Sequence, residues 1–297
     1  MTRKKLCKQD RIFNLVSYVL LTFALVAVAY PLYFVLIASV SDPIAVGNGQ
    51  VWFWPKGVSF EGYKRVLGDP NITHGYTNTI VYTFVGTAIN LLVTLPAAFA
   101  MSRKNLKGRG LFMTLFMITM FVSGGMIPTY LVVKKLGLLD TIGALVLPGA
   151  MSVYNMLIAR TFFQTSIPES LWEASEMDGC TYARYFASVV LPLSKAIIAI
   201  LALFYGIGHW NAYYNAMIYL TDSQKFPLQL VMRAILTKNQ MPANMMLADV
   251  SLFSSMQYTA EMIKYALIIL ASLPVLVLYP FLQRFFVKGV MIGSVKG

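Results

Sequence analysis

Charge is scarce in this chain: only 12% of its 297 residues are Asp, Glu, Lys or Arg, against about a quarter in soluble domains. Six stretches hold no charged residue at all: Ile12–Ser41, Ile72–Ser102, Gly110–Val133, Thr141–Ala159, Ala196–Thr221 and Tyr265–Gln283. A soluble helical core intersperses charges on the solvent side of each helix, so these runs argue against one. Histidine is limited to His74 and His209, far apart and without a His-Glu-x-x-His pattern, which leaves a membrane enzyme no catalytic or metal set. None of the twelve acidic residues lies inside a charge-free run. That disfavours a proton- or sodium-coupled secondary transporter, the main rival of another class. Cysteine is limited to Cys7 and Cys180, both on the side read below as cytoplasmic, so no disulfide is expected. There is no Gly-x4-Gly-Lys-Ser/Thr phosphate loop, internal repeat or low-complexity tract.

What is present is hydrophobic sequence, 58% of the chain. Each charge-free run is long enough for a transmembrane helix, which takes about 20 residues. The expected fold is therefore an all-α membrane protein of six transmembrane helices, in one membrane domain over 13–286. A basic tail, 1–12, precedes it and a short tail, 287–297, follows. Lys and Arg collect in cytoplasmic loops. The N-terminal tail, the loop of Arg103, Lys104, Lys107 and Arg109, the segment between spans four and five, and the C-terminal tail together hold 15 of the 24 basic residues. Both termini are therefore placed inside. The net charge of +12 is a topology signal against an anionic leaflet and calls for no nucleic-acid partner. The first run, thirty residues long, far exceeds the ~7–15 of a cleaved signal, so it reads as an anchor that stays.

The expected spans are Phe13–Val40, Tyr76–Met101, Leu111–Val133, Thr141–Phe163, Ala196–Leu220 and Lys264–Phe286. Pro31, Pro96 and the Gly124-Gly125 and Pro128 group mark kinks. Trp52-Phe53-Trp54 suits either the membrane interface or a lid on the outer face.

The cytoplasmic segment 164–195 is polar yet patterned. Ser166 reads as an N-cap, with Glu169 three residues on as a capping box and Pro168 in the first turn. Gly179 reads as the stop. Glu169, Glu173 and Glu176 recur at i, i+4 and i+7 on one face, and no Lys or Arg stands at i+4 to pair with them. Such a face is either simply solvated or a docking surface. Glu173-Ala174-Ser175, three residues, Gly179, nine residues, Val189, one residue and Leu191-Pro192 resembles the EAA signature of permease subunits in bacterial ABC importers. Ser175 and Val189 stand where that signature carries Ala and Ile. Ile167 to Trp172 and Met177-Asp178-Gly179 resemble the sugar-importer, MalG-like branch.

The resemblance implies a type I ABC importer permease in the bacterial plasma membrane. Its helix around Glu173, Ala174, Ser175, Asp178 and Gly179, flanked by Glu169 and Glu176, would dock in a separate ATPase. It implies a second homologous permease, two copies of the ATPase and an extracellular solute-binding protein. ATP and Mg would belong to the ATPase, with no cofactor on this chain.

In span five, His209, Trp210, Asn211, Tyr213, Tyr214 and Asn215 place amides and aromatics at membrane depth, as a sugar pathway would or as interhelical packing would. Asn155 and Tyr154 in span four are weaker candidates. The closing stretch Leu282–Gly297 resembles permeases for complex, often acidic oligosaccharides such as pectin-derived ones. The expected substrate is an oligosaccharide; a permease for a peptide or amino acid is the alternative within the class.

Overall fold

The computed structural model describes residues 8–238 and 262–277, with positions 258 and 280. The expectations for the first residues of the basic tail, for Cys7 and for the closing stretch lie outside the described residues, as does the end of the sixth expected span. Among the described residues the regular structure is entirely helical. The chain divides into two units: residues 1–69 with 235–273, and residues 70–234 with 274–297.

The first unit begins with α1 (Lys8–Ser39), 32 residues that run through Pro31 without interruption. At 1.5 Å per residue it is about 48 Å long. It is apolar on all sides and only 6% of its most apolar window is buried, as suits a helix whose surroundings are lipid or other helices. Its last turns pack Ile37 and Ala38 against Ala45, Val46 and Val51 around α2 (Pro43–Gly47), which Asp42 caps through Ile44 N at 3.2 Å. Tyr30 packs edge-on against Phe53, and Tyr33 Oη donates to Phe53 O. Trp52, Phe53 and Trp54 are nevertheless exposed. Gly62 of α3 (Glu61–Gly68) lies so close to α15 (Met262–Val277) that a Cβ would sit 2.5 Å from Met262 O.

The second unit is built on α4 (Pro70–Ser102), which starts six residues before the expected Tyr76 because Pro70 opens a first turn without needing its missing N–H. It continues through Pro96. The expected third span proves to be two helices, α5 (Arg109–Phe121) and α6 (Met126–Lys135), bent by 113°. The marked Gly124-Gly125 pair is the site, but Gly125 at φ +82° reverses the chain rather than kinking it. The expected fourth span is also broken. α7 (Ile142–Val146) and the 3-10 turn Leu147–Gly149 meet α8 (Val153–Ser166) at 55°. α9 (Glu169–Met177), α10 (Tyr182–Tyr185), the wide turn Phe186–Val190 and α11 (Leu191–Leu193) lead through an 83° bend to α12 (Lys195–Trp210). The expected fifth span therefore ends ten residues early. Asn211 caps α12, its Nδ2 donating to Ile207 O at 3.0 Å, and α13 (Tyr214–Tyr219) and α14 (Leu228–Lys238) follow.

α4 packs against α12 and α8. Their shared core joins Leu95, Phe99, Met156, Phe163, Tyr185 and Leu201, all buried.

Candidate functional site

α9 is not capped by Ser166, which is instead the last residue of α8. Ile167, disfavoured from the helical region by the following proline, is extended at φ −114° and ψ 106°, and Pro168 takes the cap position with no side-chain bond. The expected capping box is thus absent. The stop is as expected: Gly179 adopts φ +72°, its N–H donates to Glu176 O, and Cys180 N–H donates to Ser175 O, both at 2.9 Å. This pair of bonds satisfies the last carbonyls of the helix.

One residue fixes α9 to the core. Trp172 is buried, stacks on Tyr182 at 3.9 Å between ring centres and meets Tyr185 edge-on at 5.2 Å. Tyr185 packs on Phe99 of α4. Glu169 is held as well, by Lys104 Nζ at 3.1 Å, a partner from the loop after α4 that an i+4 search along the helix does not find. Glu173, Ala174, Glu176, Asp178 and Gly179 face outward, and Glu173 and Glu176 have no ion pair among the described residues. Ser175 is half-buried and turns its hydroxyl back to Leu171 O at 2.7 Å. Sequence reasoning missed Met177, which is 89% exposed beside these acids. Its signal was present: an apolar side chain four residues after Glu173, on the same face.

The second grouping is a polar seam halfway along α4. Asn90, fully buried, donates from Nδ2 to Gly149 O at 2.8 Å. Its Oδ1 faces His209 Nε2 at 2.6 Å, a pairing that puts the imidazole proton on Nε2. One turn on, Thr94 Oγ1 lies 2.7 Å from Tyr205 Oη, which also accepts Ser152 N–H at 3.0 Å. Gly149 and Ser152 flank the break between α7 and α8. Asn90 and Tyr205 therefore satisfy backbone groups that the break releases, where lipid offers no substitute. Gly86 makes room, since a Cβ there would lie 2.5 Å from His209 Nε2. The signal for Asn90 and Thr94 was an amide and a hydroxyl at i, i+4 inside a charge-free run.

The pathway candidates separate. His209 is in the seam, Trp210 is buried edge-on to Tyr76 at 6.0 Å, and Asn155 is buried at the start of α8. Asn211, Tyr213, Tyr214, Asn215 and Tyr154 are exposed. Tyr214 Oη reaches Met126 Sδ at 3.1 Å, and the Arg233 guanidinium lies 5.3 Å above Tyr213. Beside Trp210 runs an open groove of about 420 Å³, where the buried Thr83 and Thr87 hydroxyls have no hydrogen-bond partner among the described residues.

Residues 72–292 match the family of binding-protein-dependent transport system inner membrane components. The chain belongs to this family. The match takes in α9, the seam and the groove, and begins after α1–α3. This inner membrane component is 40% identical over 291 residues to the polygalacturonan/rhamnogalacturonan transport system permease protein YtcP of Bacillus subtilis, covering 97% of this chain and 100% of that one. It is 38% identical over 290 residues to Protein LplC of the same organism, covering 98% and 97%. Among solved structures, a chain from the crystal structure of a bacterial ABC transporter involved in the import of the acidic polysaccharide alginate superposes with a TM-score of 0.86. That likeness, at 31% identity, covers 96% of this chain and 100% of that chain. The inner membrane component thus shares its fold with a chain of an ABC transporter.

At the far end of α4, Asn78 Nδ2 donates to Gln224 O at 2.7 Å and Tyr82 Oη to Lys225 O at 2.9 Å. Asp140, at φ +58°, accepts from Lys225 Nζ at 2.6 Å and from Thr221 N and Asp222 N at 3.0 and 3.1 Å. The Lys225 ammonium, then those two backbone N–H groups, lower the Asp140 carboxyl from an ordinary 3.8 to about 2.

Proposed function

We propose that this chain is one permease half of an ATP-driven importer of oligosaccharides, crossing the membrane six times with both termini inside. A second homologous permease completes the pathway, two copies of a separate ATPase dock beneath, and an extracellular binding protein delivers the substrate. ATP and Mg are held by the ATPase. The observation that carries this reading is the form of α9, an exposed face of Glu173, Glu176 and Met177 on a helix that Trp172 fixes rigidly to the core. A charge-assisted bond from Glu173 to a cation of the ATPase turns that rigidity into transmitted motion.

The topology is supported by the two ends of α4. Lys104 and Glu169 meet near Ser102, whereas Asp140 and Lys225 gather near Asn78. Twenty-four residues separate Asn78 from Ser102, about 36 Å of helix, comparable with the ~30 Å hydrocarbon core. The substrate reading is supported by relatives named for polygalacturonan, rhamnogalacturonan and alginate. Asn211, Tyr213, Tyr214, Asn215 and the Thr83 and Thr87 hydroxyls offer the mix of rings and polar groups that a sugar requires. Acidic, pectin-type oligosaccharides are the first substrates to test.

The experiment is Glu173→Lys in the assembled transporter. A charge-assisted bond is worth ~1.5–3 kcal/mol, so ATPase recovery and oligosaccharide uptake should fall by about tenfold or more. Membrane insertion and pairing with the second permease should be unchanged. Reversing the matching cation on the ATPase should restore part of the uptake. Normal uptake by the single variant would remove the docking role of α9.

A further inference from the structure

We propose that the groove at the Ser102 end of α4 is a binding site for an anionic phospholipid, one acyl chain lying in the groove and the phosphate at its basic rim. The inference rests on the reading of α4 as a membrane-crossing helix with the loop of Arg103–Arg109 on the cytoplasmic side.

The groove has a volume of about 430 Å³, within the ~300–1,000 Å³ usual for ligand sites. Pro96 and Phe99 of α4, Leu106 of the following loop and Phe186 beyond α10 form its apolar wall. Arg103 and Lys107 stand at its edge, and neither has an ion pair among the described residues. Arg103 is aimed by its surroundings: its guanidinium lies 4.9 Å above the Phe99 ring, and its Nε donates to Ser102 Oγ at 3.3 Å. Among the described residues no carboxylate lines the groove, and the nearby Glu169 is engaged by Lys104.

Depth and charge select the occupant. Pro96 lies six residues before Ser102, about 9 Å back into the charge-free run, deeper than a water-soluble ATPase reaches. The chain's own closing stretch carries Arg284, Lys288 and Lys296, like-charged with the rim. A phospholipid supplies what both lack: an apolar chain for the wall and a negative phosphate for Arg103 and Lys107, in a leaflet whose surface is anionic.

The test is native mass spectrometry of the full chain, purified with its partner subunits and incubated with phosphatidylglycerol or with phosphatidylcholine of the same acyl chains. The wild type should retain one phosphatidylglycerol more than the Arg103→Gln/Lys107→Gln variant. Phosphatidylcholine retention should be equal in the two. Lys134→Gln/Lys135→Gln, at basic positions away from the groove, should retain phosphatidylglycerol as the wild type does. Ala183→Trp, which adds bulk at the groove, should lose the same lipid without losing a charge. If the double variant does not accumulate, Lys107→Gln alone, on an exposed loop residue, gives the same reading with a smaller change.

Equal retention of the two lipids by the wild type, or equal phosphatidylglycerol retention by wild type and variants, overturns the site. Increased phosphatidylglycerol retention after deletion of residues 287–297 also overturns it, by identifying the tail as the resident. The transport reading fails separately, through uptake that survives Glu173→Lys, and lipid retention does not depend on that result.

Discussion

Asn90, His209, Thr94 and Tyr205 all find polar partners inside the protein, whereas Glu173 and Glu176 of α9 have no ion pair among the described residues. The seam and α9 are both polar, but their polarity serves opposite ends. In the seam Asn90 and Tyr205 close backbone groups left open by the break between α7 and α8, and His209 and Thr94 pair with them, so the polar side chains sustain the fold. On α9 the backbone is closed by its own Gly179 turn and the helix is held by an apolar ring, so its acids remain available to something else. Substitutions should therefore separate: stability should follow the seam and the ring, and assembly should follow the outward face.

The largest effect should come from Trp172→Ala, where the two regions meet. A buried Trp truncated to Ala costs ~3–5 kcal/mol, and here it also releases α9 from Tyr182 and Tyr185. The midpoint of thermal unfolding in detergent should fall and ATPase co-purification should fall with it, while Trp172→Phe retains most of both. Wild-type ATPase recovery by Trp172→Ala would mean that α9 does not need its anchor.

Next is Asn90→Leu, which leaves Gly149 O and His209 without their partners. Each unsatisfied buried group costs ~1–3 kcal/mol. Unfolding should shift downward, and ATPase docking by the molecules that remain folded should be normal. A docking defect larger than the stability loss would break the division between the regions. Met177→Ser should do the reverse. Burying a Met at an interface contributes ~1.5–3 kcal/mol, so ATPase affinity should drop by about tenfold with the unfolding midpoint unchanged.

The same contrast explains how much was legible in the sequence. The motif from Glu173 to Gly179 could be read because a glycine stop and an acidic face are local, and the turn at Gly179 forms as expected. The partner of Glu169 was hidden because Lys104 is sixty-five residues away in the chain. Ser166 does not cap α9 because Pro168 holds Ile167 extended, which leaves the serine as the last residue of the preceding helix. Charge-free runs located hydrophobic sequence but not helices: they do not register the bends after Phe121 and Gly149 or the end of α12 at Trp210, which depend on Gly125, Asn90, Tyr205 and the Asn211 cap. Polar bonds between helices of the second unit join residues 53 to 119 positions apart, beyond any periodicity.

The smallest effect concerns the clamp at the other end of α4, which follows the logic of the seam in exposed form. Asp140 is non-glycine at φ +58°, a conformation Asn also tolerates, so Asp140→Asn tests the charge without disturbing the backbone. Because the folded carboxyl titrates at about 2 instead of 3.8, its ionised form is favoured by folding. That contribution is complete above 3.8 and is lost only as pH falls through about 2. The unfolding midpoints of the wild type and Asp140→Asn should therefore differ by a small, constant amount between pH 8 and pH 5. The gap should narrow only below pH 4. Lys225, raised by the same hydrogen bond from an ordinary 10.5, sets the upper limit of the plateau in the alkaline range. Asp140→Ala should cost more than Asp140→Asn at every pH, since it also abandons the N–H groups of Thr221 and Asp222. A gap between wild type and Asp140→Asn that closed between pH 7 and pH 5 would mean that some group other than this carboxylate holds the clamp.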